Sequence, residues 1–194
     1  MQPWRFYLRG RALEAFGIKA AAVDAYLETL EAEPGFARAA ARAAYLLASQ
    51  ERYGEAEPLF RRALRSDPNN AATHFNLGFA LDKLGRHEDA LAALREATRL
   101  RPGPDRAWYG LGMAQAALGR HAEAAAALHE AATLQPMNPH AWYALGMAHH
   151  VLGDAARVKE VAVHLVRFDP RMARRLIRES GASELEYLVK ELVV

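Results

Sequence analysis

Residues 105–138 read DRAWYGLGMAQAALGRHAEAAAALHEAATLQPMN, and the prolines flanking and following this stretch decide how the chain is organised. Pro34, Pro68, Pro102, Pro136 and Pro170 are each separated by 34 residues. Self-similarity at a fixed period is the mark of a repeat architecture, in which each unit buries its apolar face against its neighbours. In that phase the units are 3–36, 37–70, 71–104, 105–138 and 139–170, followed by a tail of 171–194.

The eighth place of the unit holds Gly10, Ala44, Gly78, Gly112 and Gly146, small residues that let one helix approach another closely. The twentieth holds Ala22, Ala56, Ala90, Ala124 and Val158, with the same consequence for a second helix. Between them Gly17, Gly85, Gly119 and Gly153 stand at the fifteenth place, where a residue free to adopt positive φ ends the first helix. Each unit is therefore an antiparallel helical hairpin. Leu77, Leu111 and Leu145 at the seventh place, with Tyr26, Phe60, Leu94 and Leu128 at the twenty-fourth, fill the seam.

Composition agrees with an all-α fold. Alanine supplies 42 positions, which favours helices packed over small side chains, while Val, Ile and Thr are few. The 25 Lys and Arg stand against 23 Asp and Glu, and they are spread evenly: ten to nine before position 71, seven to seven over 71–136, eight to seven beyond. Even spreading describes solvated helix faces and argues against a nucleic-acid footprint. The absence of cysteine removes disulfides, thiolate nucleophiles and Cys-based zinc sites. Neither a secretory apolar run nor a membrane-spanning stretch is present, which leads to the expectation of a cytoplasmic protein without membrane contact, or a periplasmic one whose leader has been removed.

The stretch Trp108-Tyr-Gly-Leu-Gly112, with Ala124, Leu128, Ala131 and Pro136, resembles the tetratricopeptide repeat family, and the resemblance extends over about residues 3–170. It implies a right-handed superhelical solenoid of five hairpins, completed here by two C-terminal helices. In that family the concave wall comes from the first helix of each unit, chiefly at its second, fifth, sixth, ninth and twelfth places. The fifth place here gives Tyr7, Ala41, Phe75, Tyr109 and Tyr143, and the ninth gives Arg11, Tyr45, Phe79, Met113 and Met147. Arg38, Arg106 and His140 at the second place and Arg42 and Asn76 at the sixth add a mixed rim, with Asp82 as its acid, and Gly110 leaves room for a ligand backbone. The candidate partner-binding residues are therefore Tyr7, Arg38, Arg42, Tyr45, Phe75, Asn76, Phe79, Arg106, Tyr109, Met113, His140, Tyr143 and Met147. Aromatic rings and methionines give large, adaptable contact area, suited to an extended peptide or an amphipathic helix with acidic flanks. Packing between neighbouring helices is the competing role for any of these rings.

The family members that grip acidic chaperone C-termini carry a lysine and asparagine where this chain has Ala41 and Tyr45, or Phe75 and Phe79, so no complete carboxylate clamp is present. The asparagine ladder of the O-linked N-acetylglucosamine transferase superhelix is likewise reduced to Asn76.

Departures from the pattern carry their own meaning. Unit one has Arg9 at the seventh place, as suits a terminal repeat facing water, and unit two has Ala40, Ala43 and Ala44, which favours close packing of its first helix. Unit five has Val158, Ala162 and Leu165 where unit four has Ala124, Leu128 and Ala131, an exchange of small for large that requires a partner helix to repack. That partner is expected in the tail. There Met172, Leu176 and Ile177 oppose Arg171, Arg174, Arg175 and Arg178, and Gly181 ends a capping helix whose arginines form its wet side or, alternatively, a local positive field for phosphates or anionic lipid. Ser183 with Glu186 marks the start of a last helix over 183–194 with Leu185, Leu188, Val189 and Leu192 as its stripe. That stripe is free to cover unit five, to dock in the groove or to pair with a second copy.

No catalytic constellation or cofactor site emerges. A phosphate-binding Gly-Lys loop and a nucleophile elbow are both missing, and in His129-Glu-Ala-Ala-Thr133 a threonine replaces the second histidine of a zinc-protease helix. His149 and His150 are adjacent and so diverge by about 100° on a helix, His140 and His150 are candidates to share the groove, and His87 and His121 are placed to pack at the starts of second helices. The expected function is a non-catalytic protein-interaction module, an adaptor, scaffold or chaperone, with a self-associating subunit or the recognition arm of a longer enzyme as alternatives.

Overall fold

The computed structural model describes residues 2–103 and 105–190, which are helical throughout apart from short connections and contain no strand. The chain divides into two compact units, one ending at Arg101 and one beginning at Pro102.

The first unit holds three hairpins: α1 (Pro3–Ala15) with α2 (Lys19–Ala32), α3 (Ala37–Ala48) with α4 (Tyr53–Ser66), and α5 (Ala71–Lys83) with α6 (His87–Leu100). Within each, the seam is closed by the small residue at the eighth place. A methyl group added at Gly10 would lie 2.7 Å from the Tyr26 ring, and one at Gly78 would lie 2.6 Å from Leu94 Cγ. Tyr26, Phe60 and Leu94 are consequently buried to the last atom or nearly so. The first two hairpins are joined through Arg62 of α4, whose guanidinium donates to the carbonyl oxygens of Leu30 in the last turn of α2 at 2.8 Å and of Pro34 just beyond it at 2.9 Å. These are carbonyls that a helix terminus leaves without intrahelical partners.

The second unit holds α7 (Asp105–Ala117) with α8 (His121–Leu134), and α9 (Pro139–Val151) with α10 (Ala155–Val166), followed by α11 (Pro170–Glu179), a 3₁₀ turn at Ser183–Leu185 and α12 (Tyr187–Lys190). Gly112 meets Leu128 as Gly78 meets Leu94, again at 2.6 Å for an added methyl. At Gly146 the pattern changes. The side chain standing 2.6 Å from an added methyl there is Leu176 of α11, because the twenty-fourth place of α10 is Ala162. The small-for-large exchange legible in the sequence is thus completed by the tail, and α11 buries Ala173, Leu176 and Ile177 against α9 and α10.

The last segment differs from a single helix begun at Ser183. No side chain caps the Ser183 turn, and a tight 3₁₀ turn precedes α12. The tighter winding sets both Leu185 and Val189 into the cluster formed by Leu176 and Ile177, with Leu188 packed at its edge. Those residues cover α11 of their own chain, while Leu192 lies outside the described residues.

One regularity was not legible. The fourth place carries a hydrogen-bond donor in three units: Trp108 Nε1 donates to the Pro102 carbonyl at 2.7 Å, Trp142 Nε1 to that of Pro136 at 2.9 Å, and His74 Nε2 lies 2.9 Å from that of Pro68. Each ring thus ties its helix to the proline six residues before it. At the fifteenth place Gly17, Gly85, Gly119 and Gly153 have φ of 73 to 75°, and Glu51 adopts φ 62° at the same place. A left-handed backbone strains a residue that has a Cβ.

Two predictions follow the packing. Glu51→Gly relieves that strain and raises stability by about 0.5–1 kcal/mol, read as an upward shift in Tm. Leu176→Ala opens a cavity beside Gly146 and lowers stability by about 2–5 kcal/mol, and adding Ala162→Leu restores much of the loss by returning a leucine to the same space, which a double-mutant cycle in denaturant measures.

Candidate functional site

The side chains expected to form a concave wall fall into three groups by environment. In the first unit Tyr45 on α3 is 53% exposed and Phe79 on α5 is 42% exposed, although the opposite faces of both helices are fully packed. Phe79 is flanked by Tyr53 at 6.1 Å between ring centroids and by the Lys83 ammonium at 5.4 Å from its ring. Phe75 and Asn76 are half-buried and Arg38 is exposed. In the second unit Met113 on α7 is 40% exposed, and Arg106 and His140 are open to solvent.

A second group is largely committed to packing. Tyr7 is only 6% exposed, held by Trp4 at 5.5 Å, Phe36 at 5.0 Å and Tyr26 at 5.7 Å, so it supports the wall and presents little more than an edge. Tyr109 packs against Ala131, Ala132 and Ala141, and its burial pushes the phenol above the ordinary tyrosine range. Met147 is packed at the margin of the cluster around Leu145 and Leu176.

Ion pairing defines the third group. The Arg42 guanidinium reaches both carboxylate oxygens of Glu14 at 2.7 Å, and the same carboxylate accepts the hydroxyl of buried Tyr26 at 2.7 Å. Burial first, and then that hydrogen bond, push the Tyr26 phenol far upward. Tyr143 is covered from α11: its hydroxyl donates to Glu179, and the Arg175 guanidinium sits 4.6 Å above its ring. Burial and the Glu179 contact raise the Tyr143 pKa, while Tyr143 and Arg175 together hold Glu179 below the usual carboxylate range. Arg175 is therefore more than part of a wet helix face.

These pieces assemble in the first unit into a cleft of ≈570 Å³ across α1, α3 and α5, lined by Tyr7, Arg11, Arg38, Arg42, Tyr45 and Asn76, together with Thr73, Asn70 and Asp67. Arg11, Asn70 and Asp67 were not among the expected contacts. The ninth-place position of Arg11 was the signal that could have brought it in, whereas Asn70 and Asp67 belong to the connection before α5. In the second unit a cleft of ≈660 Å³ lies on the side of α8 and α10, where His129, Trp142, His149 and His164 converge. His164 stacks on Trp142 at 4.0 Å between ring centroids, and burial pushes His149 below the ordinary histidine range despite Asp154 at 3.8 Å. His150 lines a different recess, beside Gly181, as expected of adjacent helical residues. His87 is fixed by a 3.0 Å contact to Asp82 at the turn into α6. Among the described residues no three His, Asp or Glu side chains converge as a metal ion would require, and no helix is long and apolar enough to cross a membrane.

Comparison with known proteins agrees with the hairpin geometry. The chain superimposes on the structure of YrrB, a TPR protein with an unusual peptide-binding site, with a TM-score of 0.82 and 23% identity over 89% of this chain and 90% of that one. MamA from Desulfovibrio magneticus RS-1 gives a TM-score of 0.77 and 21% identity over 91% and 96%. PilF of Pseudomonas aeruginosa gives 0.69 and 21% over 96% and 91%. At such identities the likeness is one of fold. No curated protein sequence matches the chain. Three family models described as tetratricopeptide repeat match residues 7–71, 47–116 and 105–138, running together from 7 to 138. The chain belongs to the tetratricopeptide repeat family, an all-helical solenoid fold of protein-interaction scaffolds.

Proposed function

We propose that the chain is a non-catalytic scaffold that holds a segment of a client protein, extended or helical, against the walls formed by its first helices. The observation that carries this reading is the exposure of Tyr45, Phe79 and Met113 on helices whose other faces are closed. Large apolar side chains left open on a packed framework are what a binding anchor needs, because the framework has already lost its conformational freedom and little more is lost on binding. Arg38, Asn76, Arg106 and His140 supply polar groups beside these anchors. The peptide-binding site of YrrB, a protein of the same fold, supports the choice of a polypeptide as ligand.

Self-association through the tail is the weaker reading, since Leu185 and Val189 are already buried against α11. A chaperone for a self-assembling client is one form that the favoured reading takes.

A pull-down from cell extract tests it, using wild type beside a Tyr45→Ala, Phe79→Ala double variant of equal helicity by circular dichroism. Wild type retains a client and the double variant loses it, with binding weakened about tenfold or more if both are hot-spot anchors. Phe16→Ala removes a ring that is 82% exposed on the turn after α1, away from the wall, and leaves binding intact. Equal retention by wild type and double variant overturns the proposal.

A further inference from the structure

We infer that the cleft across α1, α3 and α5 selects a client segment carrying side-chain carboxylates, an inference that rests on the groove reading above and specifies its ligand chemistry. Three arginines, Arg11 of α1 and Arg38 and Arg42 of α3, line this one cleft of ≈570 Å³. Arg42 is held by Glu14 through a single nitrogen, Nη1. Arg11 and Arg38 are exposed and, among the described residues, have no carboxylate partner. Elsewhere on the same unit, arginines with an acid in reach are paired, Arg9 with Glu28 at 2.6 Å, Arg52 with Glu55 at 2.7 Å and Arg61 with Glu57 at 2.9 Å.

Among the described residues Asp67 is the one acid lining the cleft, and its carboxylate accepts from the Asn70 amide at 2.9 Å. The cleft therefore presents two unpaired guanidinium groups, each a planar fork that matches a carboxylate in bidentate geometry. Asn76 lines the same cleft, and its side-chain amide makes no hydrogen bond among the described residues, so it is available to a ligand backbone. Tyr45 of the same cleft offers an open ring for an apolar side chain.

The family's own acid clamp is not the source of this selectivity, since Ala41 and Tyr45, or Phe75 and Phe79, occupy the places of its first pair and leave it incomplete. A nucleic acid fits less well. The ten basic and nine acidic residues before position 71 leave little net field for a continuous phosphate chain.

Fluorescence anisotropy with three short, labelled, acetylated and amidated peptides tests the inference on the full chain. Leucine and tyrosine alternate with glutamate in the first, with glutamine in the second and with lysine in the third. The glutamate peptide binds about tenfold or more tightly than the glutamine peptide, loses that advantage on Arg11→Gln, Arg38→Gln, and weakens as salt is raised. Tyr45→Ala weakens the glutamate and glutamine peptides alike.

Equal binding of these two peptides, with both still sensitive to Tyr45→Ala, overturns carboxylate selection and leaves the groove reading standing. Indifference of both to Tyr45→Ala counts against the groove reading instead. Three other results overturn the inference: no measurable binding of the glutamate peptide, a free-acid glutamine peptide that binds as tightly as it does, and an oligothymidylate that binds more tightly.

Discussion

A second helix can lie against a first only as closely as the side chains between them allow, and in three hairpins of this chain that distance is set by a hydrogen atom. At Gly78 and Gly112 the leucine twenty-four places into the unit occupies the volume that a Cβ would need, and at Gly10 the Tyr26 ring does so. Close approach excludes water from the seam and lets alanine, which supplies little side chain of its own, make up much of the core. It also fixes the rotation of each first helix about its axis. With the seventh, eighth and tenth places turned inward, the second and ninth places carry the side chains most open to a partner, Arg38, Tyr45, Phe79, Arg106 and Met113 among them, while Trp4 and Met147 at the same places are drawn into packing.

The same constraint explains the C-terminus. Unit five cannot close its own seam because Ala162 is too small to fill the space beside Gly146, and Leu176 enters from α11 to do it. Having docked for that reason, α11 also places Arg175 and Glu179 over Tyr143. A structural need at the end of the array thus changes the surface of its last first helix, converting an aromatic side chain from an open anchor into half of a polar contact.

Much of this was legible before any coordinates. Prolines at a spacing of 34 gave the unit, glycines at its fifteenth place gave the turns, and the exchange at Val158, Ala162 and Leu165 pointed to the tail as a repacking partner. What escaped the sequence depends on contacts between residues far apart in it. Nothing local marks Glu14 as the partner of Arg42, 28 residues away, or Glu179 as the partner of Tyr143, 36 residues away. Tyr7 and Tyr45 are both aromatic residues on first helices, yet Trp4 and Phe36 enclose only the former. The Ser183 turn read as a helix start because its capping pattern is local, whereas its winding answers to where Leu185 and Val189 must go. Glu51 shows the reverse case, a left-handed position imposed by the repeat on a residue that no local rule would place there.

The account's central claim is that the faces of the first helices turned away from the seam are the binding surface. Hydrogen exchange of the chain, alone and with its captured client, tests this most directly, because each amide reports the local opening of its own helix. Slower exchange on binding, concentrated on α3 and α5 with α2, α4 and α6 little changed, is the predicted result. Protection confined to the second helices, or to α11 and the segment after it, would contradict the claim.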